Sequence, residues 1–97
     1  MNQLETNRAI ISRVDEQLSV LFAERFEAVR EIAYYKMEQG LGVRDEKREA
    51  ELIQRRKEQI PDELQPYFEQ FYSGLLAASR AYQEDLIRME AAKKPAE

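Results

Sequence analysis

An all-α protein of three helices, one long, one short and one medium, forming an intertwined helical homodimer, is predicted by three features of the sequence. Glycine and proline, three of each, are scarce and clustered, so they cut the chain into few segments. Every long segment repeats its apolar residues at intervals of three or four, and none alternates in the period of a strand. The segments also differ too much in length to cover one another's apolar faces within one chain, which pairing of the long helices from two chains resolves.

The first helix is expected over about Glu5–Gln39, with Ile11, Val14, Leu18, Leu21, Phe22, Val29 and Ile32 on one stripe. Thirty-five helical residues span roughly 50 Å, longer than a compact domain of this mass is wide. Gly40 and Gly42 end it. Asp45 is placed to N-cap a second helix over about 46–59, with Leu52, Ile53 and Ile60 on its inner face. Pro61 and Pro66 make the next break, and Pro66 suits the first turn of a third helix running to about Met89. Its stripe is Phe68, Phe71, Leu75, Ala78, Tyr82, Leu86 and Met89. The tail, residues 91–97, is polar and expected to fray. The whole chain, 1–97, reads as one domain.

Composition narrows the chemistry. The chain has no His and no Cys, which removes thiol nucleophiles, disulfides, histidine acid–base catalysis and the common zinc sites. A net charge of −4 argues against nucleic acid as a partner. The basic cluster Arg55, Arg56, Lys57 is short and flanked by glutamate, within a charge-dense helix face open to solvent. No apolar run suits a membrane span, and the start, Met1 to Arg8, is too polar for a signal peptide, so a cytoplasmic location is expected. Neighbouring acidic residues such as Asp15–Glu16 and Glu84–Asp85 point to different sides of a helix and make poor metal pairs. Any chemistry falls to Arg, Lys, Asp, Glu, Gln, Ser and Tyr.

Several charges stand where apolar residues belong. At about 100° per residue, counting Arg8 as zero, the first stripe runs from about 220° (Leu21) to about 320° (Phe22). Arg25 falls at about 260° and Lys36 at about 280°, both mid-stripe, while Arg8 lies about 40° outside the edge. Glu49 shares the face of Leu52, Ile53 and Ile60, with Arg48 at its flank. Ser79 sits between Leu75, Tyr82 and Leu86, and Gln83 borders the same face. Burying an unpaired charge costs several kcal/mol, so these residues need partners. Two arrangements satisfy that need: internal ion pairs such as Arg25 with Glu49, or stems reaching solvent, on one hand; a cavity richer in cations than anions, suited to a small anionic ligand, on the other.

The same residues carry a family resemblance. Arg8, Val14-Asp15, Leu18, Leu21 and Arg25 come first, then Val29, Ile32-Ala33 and Lys36. Val43-Arg44-Asp45, Arg48-Glu49, Ser79 and Gln83 follow in order and at compatible spacing. Over about Arg8–Gln83 the chain resembles the all-helical (AroQ-class) chorismate mutases. It departs from the pattern at Asn7, where an apolar residue is usual, and in the short connection between the second and third helices.

The resemblance implies rearrangement of chorismate to prephenate, an intramolecular Claisen-type step of phenylalanine and tyrosine biosynthesis in the shikimate pathway. That step calls for no nucleophile, metal or cofactor. It needs the enolpyruvyl side chain folded over the ring and stabilisation of negative charge growing on the ether oxygen. By resemblance, Arg25 and Arg8 clamp the two substrate carboxylates, with Arg8 contributed across the homodimer interface. A guanidinium fork suits that task better than an ammonium. Lys36 and Gln83 donate to the ether oxygen and Glu49 accepts from the ring hydroxyl. Asp45 and Arg48 order the loop and the field around it, and Ser79 assists a carboxylate. No nucleic acid or membrane enters this reading. With no room for a regulatory domain in 97 residues, control would come through the dimer interface or a partner enzyme of the pathway.

Two alternatives stand beside it. One is an isochorismate-pyruvate lyase on the same fold, which shares the cations and the glutamine. The intact Val43-Arg44-Asp45-x-x-Arg48-Glu49 stretch favours the mutase. The other is a non-catalytic helical dimer acting as an adaptor, in which loss of some pocket residues is expected, and none is missing here.

Overall fold

The computed structural model describes residues 2–93, in three α-helices and one 3₁₀ turn, with no strand among those residues. The long helix α1 covers Gln3–Gln39. It begins two residues earlier than the apolar stripe suggests because Asn2 caps it, its side chain accepting the Glu5 N–H at 2.8 Å. It ends at Gly40, whose φ of 67° lies in the left-handed region that glycine enters without a Cβ clash. There Leu41 N–H reaches the Lys36 carbonyl at 2.9 Å and Gly40 N–H the Met37 carbonyl at 3.3 Å, a Schellman cap.

Helix α2 covers Glu46–Lys57, capped as expected by Asp45, whose Oδ1 accepts from Arg48 N–H at 3.0 Å. It stops two residues short of expectation. Ile60 therefore lies in the following turn, not on the helix face, and is half-buried there while its carbonyl accepts from Gln65 Nε2 at 3.1 Å. A 3₁₀ turn, Asp62–Leu64, leads into α3, Gln65–Lys93. Helix α3 outlasts the expected end at Met89, so Ala91–Lys93 are helical and not frayed; the rest of the expected tail, 94–97, lies outside the described residues.

Arg25 meets Ser79 and Arg30 Nε meets Tyr82 Oη at 2.8 Å, so α3 runs in the direction of α1. Glu49 meets Arg80 and Lys57 meets Glu69, so α2 runs the opposite way. The core is small. Its buried apolar residues are Val29 and Ala33 of α1 and Tyr72 and Leu76 of α3, and Ser79 and Gln83 are buried on the same face of α3. This buried face of α3 is rotated by about 90° from the apolar stripe read in the sequence. Phe71, Ala78 and Met89 of that stripe are accordingly exposed.

On α1 every residue from Gln3 to Glu24 is exposed, including Leu4, Ile11, Val14, Leu18, Leu21 and Phe22, each 40–58 % exposed. The chain measures 67 × 29 × 15 Å with a radius of gyration of 17.8 Å, where a compact domain of this length has about 13 Å. Among the described residues no helix is long and apolar enough to cross a membrane.

Candidate active site

Where α2 folds back along α3, residues of α1, α2 and the middle of α3 line a half-open cavity of about 620 Å³. Seven of the eight candidate residues line it: Arg25, Lys36, Asp45, Arg48, Glu49, Ser79 and Gln83. Each helix contributes through its local geometry. Arg25 and Lys36 are eleven positions apart on α1, three helical turns, and so project from the same side. Ser79 and Gln83, one turn apart, do the same from α3. The cap at Asp45 sets the first turn of α2, which carries Arg48 and Glu49.

The eighth residue, Arg8, is not in this cavity. It lies seventeen positions before Arg25 on one continuous helix, about 25 Å away along the axis. No side chain bridges that distance, so Arg8 does not serve the cavity of its own chain.

Five cationic side chains line the cavity (Arg25, Lys36, Arg44, Arg48, Arg80) against three carboxylates (Asp45, Glu46, Glu49). The carboxylates are largely committed. Glu49 is paired with Arg80, Glu46 with Arg44 at 3.3 Å, and Asp45 caps α2. The ion pair of Arg25 with Glu49 that the helical pattern allowed is therefore not formed. Arg25 Nη1 donates instead to the hydroxyl of Ser79, which in turn donates to the Leu75 carbonyl at 2.9 Å. Lys36 Nζ donates to the Val43 carbonyl at 3.0 Å. Both cations, half-buried, thus rest on neutral acceptors with no carboxylate partner among the described residues. Gln83 is buried, and its Oε1 has no hydrogen-bond partner, a cost that folded proteins seldom leave unmet outside functional positions.

Arg80 is the member that the sequence pattern did not single out. It flanks the buried face of α3, one residue after Ser79. The signal that could have found it was the need of Glu49 for a cation.

Half-buried cations without counter-ions, in a chain of net charge −4, concentrate positive potential in one cleft. A small anionic molecule fits that field. A family model for chorismate mutase type II matches residues 7–84. The chain belongs to that family. No curated protein and no solved structure gives a significant match. The matched span contains all eight candidate residues and all of α2. As a chorismate mutase type II, the protein is an isomerase, and chorismate is a dicarboxylate.

Proposed function

We propose that this cavity converts chorismate to prephenate, with its residues in the following roles, and that it is completed by a second copy of the chain. The observation that carries the reading is the pair of cations, Arg25 and Lys36, held on neutral acceptors in the lining of one cavity. A substrate carboxylate replaces the weaker contact of Arg25 with a charge-assisted bond, with Ser79 as the second donor. Lys36 and the amide of Gln83 donate to the ether oxygen as the C–O bond breaks. They are strongest where charge develops and cost no reorganisation at that moment. Glu49 accepts the ring hydroxyl, while Asp45 holds the turn that presents it and Arg48 adds to the cationic field. Two preorganised donors at about 3 kcal/mol each, with a share of the orientation effect, reach the roughly 8 kcal/mol of a modest enzyme.

The exposed apolar stripe of α1 supports the homodimer. If two copies pair their long helices antiparallel about a two-fold axis near residues 16–17, Arg8 of one chain stands level with Arg25 of the other. Six half-exposed apolar side chains per copy then become covered, each worth on the order of 1 kcal/mol. The second substrate carboxylate is met by Arg8 of the partner subunit. In this reading the chain is a single domain, 1–97, of a cytoplasmic enzyme of the shikimate pathway.

Mixing Arg8→Ala with Arg25→Ala tests the shared site directly. Each variant alone is expected to be nearly inactive, whereas after exchange of subunits the mixed dimers hold one site with neither substitution. About a quarter of the parental activity is then expected for equal amounts. Failure of complementation, with exchange verified by mass, would place Arg8 outside the site.

The activity itself is tested by following the ultraviolet decay of chorismate in EDTA, then treating the product with acid to convert prephenate to phenylpyruvate. Fast decay yielding phenylpyruvate is expected. A folded protein that leaves chorismate intact but releases salicylate from isochorismate would instead be the lyase.

A further inference from the structure

One ion pair in the cavity joins the motif residue Glu49 to a residue, Arg80, that belongs neither to the apolar pattern nor to the motif that carries the family resemblance. Arg80 Nη1 donates to Glu49 Oε1, with both side chains 22 % exposed and both lining the cavity. The two ends of this contact rest on very different supports. Arg80 stands on α3 between Ser79 and Gln83, the buried polar residues of that helix, so it rises from the packed wall of the site. Glu49 stands in the first turn of α2, which has no buried residue of its own.

The other ion pair joining α2 to α3, Lys57 with Glu69 at 3.1 Å, lies at the last residue of α2, two turns away. At the cavity end, the Arg80 contact is the ion pair that joins the helices. A glutamate held only by its own helix has three rotatable bonds and stands among several cations that can draw its carboxylate elsewhere. Pinned at Oε1, it keeps Oε2 in a defined place, and geometry held by a second residue is what a recognition site requires.

We propose that Arg80 is a positioning residue, which holds the Glu49 carboxylate so that its second oxygen receives the ring hydroxyl of the substrate. The inference rests on the reading that Glu49 accepts that hydroxyl. It assigns to an ion pair that otherwise only braces α2 a part in selecting hydroxyl-bearing substrates.

The test compares kcat/KM for chorismate with that for an analogue in which the ring hydroxyl is replaced by hydrogen. The ratio of the two cancels effects on carboxylate binding and on general stability. Glu49→Gln is expected to lower this ratio about tenfold or more, because recognition of a hydroxyl is what separates the two substrates. Arg80→Met, which keeps the packing of the stem, is expected to lower it to a similar extent. In the double variant Arg80→Met adds little, because both changes act on one contact. Should Arg80→Met not fold, Arg80→Gln carries the same comparison with the same expectation.

A folded Arg80 variant with the parental ratio, in a protein where Glu49→Gln does lower it, overturns the role of Arg80 and leaves that of Glu49 standing. An unchanged ratio in Glu49→Gln overturns the assignment of Glu49 and the inference with it. No turnover of chorismate by the parent protein overturns the reading of the cavity as a whole.

Discussion

Lys36→Ala is expected to lower kcat about 10²- to 10³-fold, the loss typical of removing one preorganised donor from a developing oxyanion. The argument is one of placement. Lys36 sits in the last turn of α1, where the Schellman cap uses its own carbonyl, and its ammonium reaches across the following loop to the carbonyl of Val43. Its backbone and its head group are thus both tied to the turn that closes the cavity, without a carboxylate to neutralise the charge. In the ground state the ether oxygen carries little charge and the lysine gains little from it. In the transition state the oxygen is partly anionic, so the interaction strengthens as the bond breaks and appears in kcat more than in KM. Decay of chorismate under saturating substrate measures it. A kcat within tenfold of the parent would show that the ether oxygen is served by another group.

Gln83 leads to the second large effect, read in the pH dependence. A neutral amide donates without first acquiring a proton, and a chain without histidine has no side chain whose ordinary pKa falls between about 5 and 8. The parent kcat/KM is therefore expected to stay nearly level from about pH 5.5 to 8. Gln83→Glu reverses this. Protonated, the glutamic acid is a donor at the same buried position; ionised, it offers only acceptors and sets a negative charge against the ether oxygen. The active form is the protonated one, so activity is retained at acid pH and lost as the pH rises through the pKa of the new carboxyl. At pH 8 a deficit of about 10²-fold or more is expected. A bell-shaped parent profile centred near neutrality, or a Gln83→Glu variant as active at pH 8 as at pH 5, would remove Gln83 from the role of donor.

Much of this site is legible before any coordinates. Helical periodicity marks Arg25, Lys36, Glu49, Ser79 and Gln83 as polar residues on apolar faces, and the cavity assembles all five. Asp45 is readable as a cap because its side chain answers to a backbone N–H only three residues on. Arg8 is legible as a motif residue, but a single chain offers it no cavity, since its helix is continuous and about 25 Å along the axis separates it from Arg25.

The boundary between the two kinds of knowledge follows sequence distance. Composition, the Gly and Pro breaks and the three-to-four-residue period by themselves determine three helices, their approximate ends and the residues that cannot be ordinary core. Each of these depends on neighbours within about one helical turn. Which face of α3 is buried, and which partner each charge takes, depends on how helices rotate and cross. Arg25 meets Ser79 across 54 residues of sequence, and Arg80 meets Glu49 across 31. A helical wheel fixes angles around its own axis alone, so it ranks the stripe of Phe71, Ala78 and Met89 as inner. The packed chain instead turns Tyr72, Leu76, Ser79 and Gln83 inward, because α3 must face α2 as well as α1: the ion pairs at Glu69 and Arg80 set α2 against that side of the helix, and the Ser79 hydroxyl on it takes the Arg25 guanidinium.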